Sequence, residues 1–205
     1  MYNNALEMAN CHIDDLIYSS SVLEGFSIPL DKIKAILRRE QMPLLEEEIF
    51  FTTKLYDSWC FLLNTVNYPI DVLFLRQLNY YLGYGGQIRT SLVKMGGTTW
   101  VPEIPSTLGI LTGIVELNKV QDVELRALKY FCFVARTQMF IDGNKRVAQL
   151  IANKILIENN IGIFQIPANR VDEFRKLLVK FYETNNDTKI ISFMKKYCIR
   201  RLNEA

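Results

Sequence analysis

The densest chemistry in the chain lies at Gln138-Met139-Phe140-Ile141-Asp142-Gly143-Asn144-Lys145-Arg146. A helical apolar run ends in an aromatic residue, a carboxylate follows, and Gly-Asn opens the next helical run. Amide N–H groups at a helix start have no partner within the helix, and the macrodipole adds partial positive charge there. Gly143 lets a backbone come close to a ligand. Lys145 and Arg146 add full positive charge where a helix ordinarily prefers acids, an unfavourable placement unless an anion visits. The composition is that of a phosphate cradle, with Asp142 placed to hold a divalent cation against the phosphates. A plain interhelical turn capped by Asp142 or Asn144 accounts for the same three residues equally well, since Asp-Gly and Gly-Asn turns are common.

The elements that must position this segment are mostly helical. Ile13, Leu16, Ile17, Ser20 and Leu23 recur at helical spacing, with Gly25 as a stop, so an N-terminal helix is expected over about 9–25. Asp31 reads as the N-cap of a second helix and Pro43 as the opening of a long third one. A fourth helix runs from Ile70 to Leu82 and ends in glycines. Residues 87–101 break the rhythm: they alternate around Gly96-Gly97, which predicts two short strands joined by a glycine turn. Helical periodicity resumes over about 104–118, 121–139 and 145–158. An extended piece from Ile163 to Ile166 precedes two last helices near 170–184 and 188–202. About eight helices and one small hairpin make an all-α class, read as a single domain over 1–205 with its core over about 30–202.

Composition narrows the rest. The 205 residues are 49% hydrophobic and 22% charged, with a formal net charge of +2, so no overall basic field argues for nucleic acid. The basic cluster Lys195, Lys196, Arg200 and Arg201 reads as a solvated face. Cys11, Cys60, Cys132 and Cys198 have no paired spacing, and one histidine leaves no zinc site. No signal peptide or apolar run long enough to span a bilayer is visible, so the expectation is a cytoplasmic protein with no membrane partner.

The 138–146 segment resembles the Fic signature, His-x-Phe-x-Asp/Glu-Gly-Asn-Gly/Lys-Arg-x-x-Arg. Phe140, Asp142, Gly143, Asn144, Lys145 and Arg146 match in order and spacing, and Asn153 falls where many members have asparagine. The resemblance implies an all-α Fic fold over roughly 15–200, related to enzymes that transfer AMP from ATP to a target hydroxyl. It implies that Gly143, Asn144, Lys145 and Arg146 bind phosphate, that Asp142 holds Mg²⁺, and that ATP and Mg²⁺ are the cofactors. Arg89, Thr90, Val93, Gly96 and Gly97 resemble the family's flap, on which a target backbone docks by strand addition. A hairpin that merely covers the core is the equal alternative. Ser20-Ser21-Val22-Leu23-Glu24-Gly25 resembles the inhibitory Ser/Thr-x-x-x-Glu-Gly/Asn pattern, with Ser20 and Glu24 on one helix face.

Two positions depart from the pattern. Gln138 stands where the family has its histidine base, and a carboxamide cannot take a proton near neutral pH. Losing a general base removes ~10²–10⁴ in rate. Gln149 stands in place of the second arginine, which in relatives holds the γ-phosphate and pairs with the inhibitory glutamate. His12 lies ~18 Å along a continuous helix from Glu24 and cannot substitute unless that helix breaks. Three readings therefore stand: a Fic fold with lost, reduced or Doc-like phosphotransfer chemistry, a non-enzymatic sensor of nucleotide or target protein, and removal of AMP with Glu24 orienting water. Oligomerisation stays open.

Overall fold

The computed structural model describes residues 2–26 and 28–202. Ten α-helices are present among them: α1 (Ala5–Cys11), α2 (Ile13–Glu24), α3 (Leu30–Arg38), α4 (Glu46–Asn64), α5 (Val72–Asn79), α6 (Thr107–Asn118), α7 (Val123–Thr137), α8 (Asn144–Glu158), α9 (Val171–Thr184) and α10 (Thr188–Tyr197). A π-turn (Tyr80–Tyr84) extends α5, and a 3₁₀ turn (Ala168–Arg170) precedes α9. The all-α class expected from periodicity is the class observed. Among the described residues, no helix is long and apolar enough to cross a membrane.

The axis of the molecule is the α7–α8 pair. Asp122 caps α7, its carboxylate accepting from the Leu125 amide at 3.0 Å. Along α7, Ala127, Leu128, Tyr130, Phe131, Val134 and Ala135 are fully buried, and α8 is buried on nearly every side. A helix buried all round lies at the centre of the core, and the others pack around it. Polar residues on α8 are satisfied inside: Asn153 brackets Phe164, donating to its carbonyl at 2.9 Å and accepting from its amide at 2.8 Å. Buried Lys154 donates to the Val66 carbonyl and to Glu158, and desolvation holds its pKa below the usual lysine range.

Several boundaries differ from the sequence reading. The N-terminal helix is two helices, broken at His12, whose backbone (φ −110°, ψ 17°) leaves the helical region. Asp31 lies in the first turn of α3, whose N-cap is Pro29, and the third long helix begins at Glu46 rather than Pro43. The last helix stops at Tyr197, because Ile199–Arg201 (β2) pairs antiparallel with Gly162–Phe164 (β1), Ile163 opposite Arg200. This is the two-stranded sheet of the fold, and it does not lie where the hairpin was expected. The basic cluster is largely paired: Lys195 to Asp122, Arg200 to Gln165 and Arg201 to Glu124.

Residues 87–101 hold no strand. Their turn at Gly96-Gly97 forms, with Gly97 at φ +77°, but no backbone–backbone hydrogen bond is made from Thr90 to Pro105. The alternating apolar residues Ile88, Met95 and Trp100 pack down onto the core instead of facing one another across a ladder. What fixes the loop is Arg89, 2% exposed. Its amide donates to the Met139 carbonyl at 2.9 Å, and its guanidinium donates to the carbonyls of Gln138, Ser91, Pro102 and Glu103.

Candidate functional site

The site is built where α7 ends and α8 begins. Gln138 is the C-cap of α7 in the left-handed region (φ 48°, ψ 58°). Its carboxamide turns back on the protein: Nε2 donates to the Ala135 carbonyl at 2.6 Å, and Oε1 accepts from Asn144 Nδ2 at 3.0 Å. Asn144 is the hub of the turn. It accepts from the Phe140 amide at 2.9 Å and donates to the Phe140 carbonyl at 2.8 Å. Gly143, the N-cap of α8, sits at φ +82°, and a Cβ there would press on Asn79 and Tyr84. Its missing side chain lets the turn pack closely against the end of α5.

No backbone acceptor is present for the amides of Asn144, Lys145 and Arg146, so α8 opens with the unpaired donors expected of an anion site. The Arg146 guanidinium is nearly buried. It lies over the rings of Tyr84 (4.8 Å) and Phe51 (5.4 Å), and its Nη2 donates to the Tyr84 hydroxyl at 2.9 Å and to Asp142 Oδ1 at 3.2 Å. Arg146 Nε is buried without a hydrogen-bond acceptor. Burial is also the main reason the Tyr84 hydroxyl titrates above the usual tyrosine range.

Glu24 occupies the space in front of these cations. Its carboxylate is 2.8 Å from Lys145 Nζ and 3.5 Å from Arg146 Nε, with the side chain only 10% exposed. One turn earlier on α2, the Ser20 hydroxyl accepts from Gln149 Nε2 at 3.2 Å. The two positions of the suspected inhibitory motif thus meet the signature helix through Lys145 and Gln149, the latter standing where the second arginine is missing. Gly25 at φ +89° terminates α2, and Arg175 of α9 donates to the carbonyls of Val22 and Leu23 at 2.7 and 2.9 Å.

Asp142 is exposed, and its Oδ1 accepts from the Gly143 amide at 2.5 Å as well as from Arg146. Among the described residues no cluster of three or more His, Cys, Asp or Glu side chains could hold a metal ion. A single carboxylate beside unpaired amides and cations suits Mg²⁺ arriving with phosphate oxygens, and does not suit a resident all-protein cage.

Residues 69–156 match the model of the Fic/DOC family. The matched stretch carries the whole α7–α8 turn, so the segment that builds the site is similar to this family. No curated protein matches the chain's sequence. Among solved structures, Fic-1 from C. elegans superposes at a TM-score of 0.75 with 17% identity, over 96% of this chain and 63% of that one. A Fic family protein from Desulfovibrio desulfuricans G20 gives 0.73 with 14% identity, over 88% of this chain and 60% of that one. A Fic domain containing signaling protein from Bacteroides thetaiotaomicron VPI-5482 gives 0.66 with 18% identity, over 92% and 82%. At these identities the likeness is one of fold, and the chain spans less than two thirds of the first of these structures.

Within this Fic fold the structure brings Ser20, Glu24, Gln138, Asp142, Asn144, Lys145 and Arg146 together. It removes Arg89 from the docking set: its side chain is the buried anchor of the flap. Thr90, Gly96 and Gly97 are exposed and Val93 is half-buried, all outside the cradle. His12 stays away from it despite the helix break, its ring bonded to Tyr2, Asp15 and Arg200. Sequence reasoning missed Asn79, Tyr84 and Tyr182. Asn79 is fully buried and donates to the Asp142 carbonyl while accepting from the Gly86 amide. The glycines at 83, 85 and 86, all at positive φ, were the available signal that the end of α5 is specialised. Tyr182 stacks on Trp100 at 5.4 Å, and its buried hydroxyl has no hydrogen-bond partner; burial first and the charge of Glu24 next push its pKa up.

Proposed function

We propose that this chain is a Fic-type nucleotide-binding protein, held closed by Glu24, whose transfer of AMP to protein hydroxyls is lost or greatly reduced at Gln138. The observation that carries the reading is the Glu24 carboxylate on Lys145 and beside Arg146, a negative group where a phosphate would lie. With Glu24 displaced, Lys145, Arg146 and the first amides of α8 would hold the phosphates of ATP. Asp142 would hold Mg²⁺, which supplies neutralisation of phosphate charge. The exposed flap backbone, with no ladder of its own, would receive an extended segment of a target protein.

Gln138 supports binding without turnover. Both ends of its carboxamide are bonded inside the turn, and a carboxamide offers an attacking hydroxyl no base. This favours the sensor reading over residual transfer.

Calorimetric titration with ATP, GTP, CTP and UTP in Mg²⁺ tests the cradle. Glu24→Ala should tighten binding by about tenfold or more, the effect of removing a carboxylate from a cationic site. Indifference of both proteins to all four nucleotides would refute the proposal. Labelled ATP then tests the chemistry: Glu24→Ala with Gln138→His should label protein where Glu24→Ala alone does not. Silence of the double variant would mean that the rest of the site is not competent.

A further inference from the structure

On the far side of the flap, between its base, α6, α7 and the end of α9, lies a cavity of about 590 Å³. None of Glu24, Gln138, Asp142, Lys145 and Arg146 lines it, so it is separate from the cradle. Its volume falls within the ~300–1,000 Å³ of small-ligand sites. Trp100, Pro102, Ile104, Phe133 and Phe181 give it apolar walls. Phe133 packs directly on α6 at Gly113, where any Cβ would collide with its ring.

One charged group in the wall has unspent hydrogen-bonding capacity. Arg136 lies over the Trp100 ring at 4.8 Å and makes a single long hydrogen bond, Nη2 to the Tyr182 carbonyl at 3.4 Å. Its Nε is buried with no acceptor. A guanidinium has five donors in a planar fork; Arg136 is half-buried, and its buried Nε left without an acceptor is costly. The contrast with Arg89, whose fork is filled by carbonyls, is direct. The other lining cation, Lys129, is committed to Asp187 at 2.6 Å. Desolvation pulls the Arg136 pKa down while the charge of Glu103 opposes it, as expected of an under-paired cation in an apolar wall.

We infer that this cavity binds a small aromatic or branched-chain monocarboxylate, its carboxylate on the Arg136 fork and its apolar body between Phe133, Ile104 and Pro102. A single available cation, with Asp187 and Glu103 on the wall, disfavours a phosphate dianion. The binding needs no nucleotide and stands whether or not the cradle reading holds.

The test is calorimetry on the full chain with 3-phenylpropionate, its uncharged amide and inorganic phosphate, read in parallel by Trp100 fluorescence. The acid should bind, the amide about tenfold more weakly or worse, and phosphate not at all. Arg136→Gln should cost the acid about tenfold or more. Ile104→Glu, at a half-exposed position where folding is not at stake, should weaken the acid several-fold more than the amide, repulsion of the carboxylate adding to the apolar contact that both lose. Equal binding of acid and amide overturns the assignment, as does no binding at about 10 mM acid, well above the weakest useful affinity. A peptide ending in phenylalanine that binds about tenfold tighter than the acid would also overturn it, moving the site to a protein terminus.

Discussion

The turn at 138–146 and the flap at 87–105 touch each other, yet they are held in different ways. The turn is local: Asn144, Gln138 and Phe140 satisfy one another within a single short turn, between the two helices at the centre of the core. The flap is held by contacts far away in the chain: Arg89 ties its own loop to Gln138 and to the carbonyls of Pro102 and Glu103, while Trp100 stacks on Tyr182 and Thr98 donates to Glu183. A short-range network survives small changes around it. A loop with no backbone ladder, whose hydrogen bonds converge on one buried cation, does not.

The hardest test of that contrast is Arg89→Met. It leaves several buried carbonyls without a donor and should lower stability by about 3 kcal/mol, measured by urea unfolding. Limited proteolysis should then cut within 90–105 before the helices. A loss below about 0.5 kcal/mol would mean the flap is held by its apolar contacts instead. Next in size, Asn144→Ala should cost about 2 kcal/mol, because the Phe140 amide loses its acceptor in a buried turn. If the flap loosened as much as the turn in that variant, by hydrogen exchange of residues 90–105, the two regions would be one unit.

Asp122→Ala tests the helix that carries the turn. Removing the cap of α7 should cost about 1 kcal/mol at neutral pH. The Leu125 amide, helped by Lys195, holds the Asp122 carboxyl below the usual aspartate range. A depressed carboxyl stabilises above its unfolded pKa, and the contribution disappears as pH falls through the folded value. The variant should therefore show a shallower acid limb than the parent. Smallest of all, Gly96→Ala should change stability by less than about 0.5 kcal/mol, since the backbone there is not left-handed and nothing lies within 4 Å of the added carbon.

The sequence made the helical frame legible because apolar residues at a 3.6 period bury the same faces wherever those helices dock. That Asp142, Lys145, Arg146 and the first amides of α8 lie together was legible because they are neighbours along the chain. The flap was not. Alternation around Gly96-Gly97 is as compatible with a loop whose apolar residues fold inward as with a ladder, and only the path of Arg89 into the core decides between them. Likewise, no local pattern marks Asn79 or Tyr182, which act on residues far away in the chain. The interruption at His12 was invisible because its neighbours keep helical spacing on either side.

Helix α9 reaches both the latch and the flap. At one end Arg175 grips the last carbonyls of α2, just before Glu24; further along, Val179 lies beneath Gly97, Tyr182 stacks on Trp100, and Glu183 accepts from Thr98. A chain of phosphates displacing Glu24 and an extended peptide captured on the flap would thus lean on the same rigid rod. Thermodynamic reciprocity then fixes the relation: the factor by which one guest alters the affinity of the other is identical in either order of arrival.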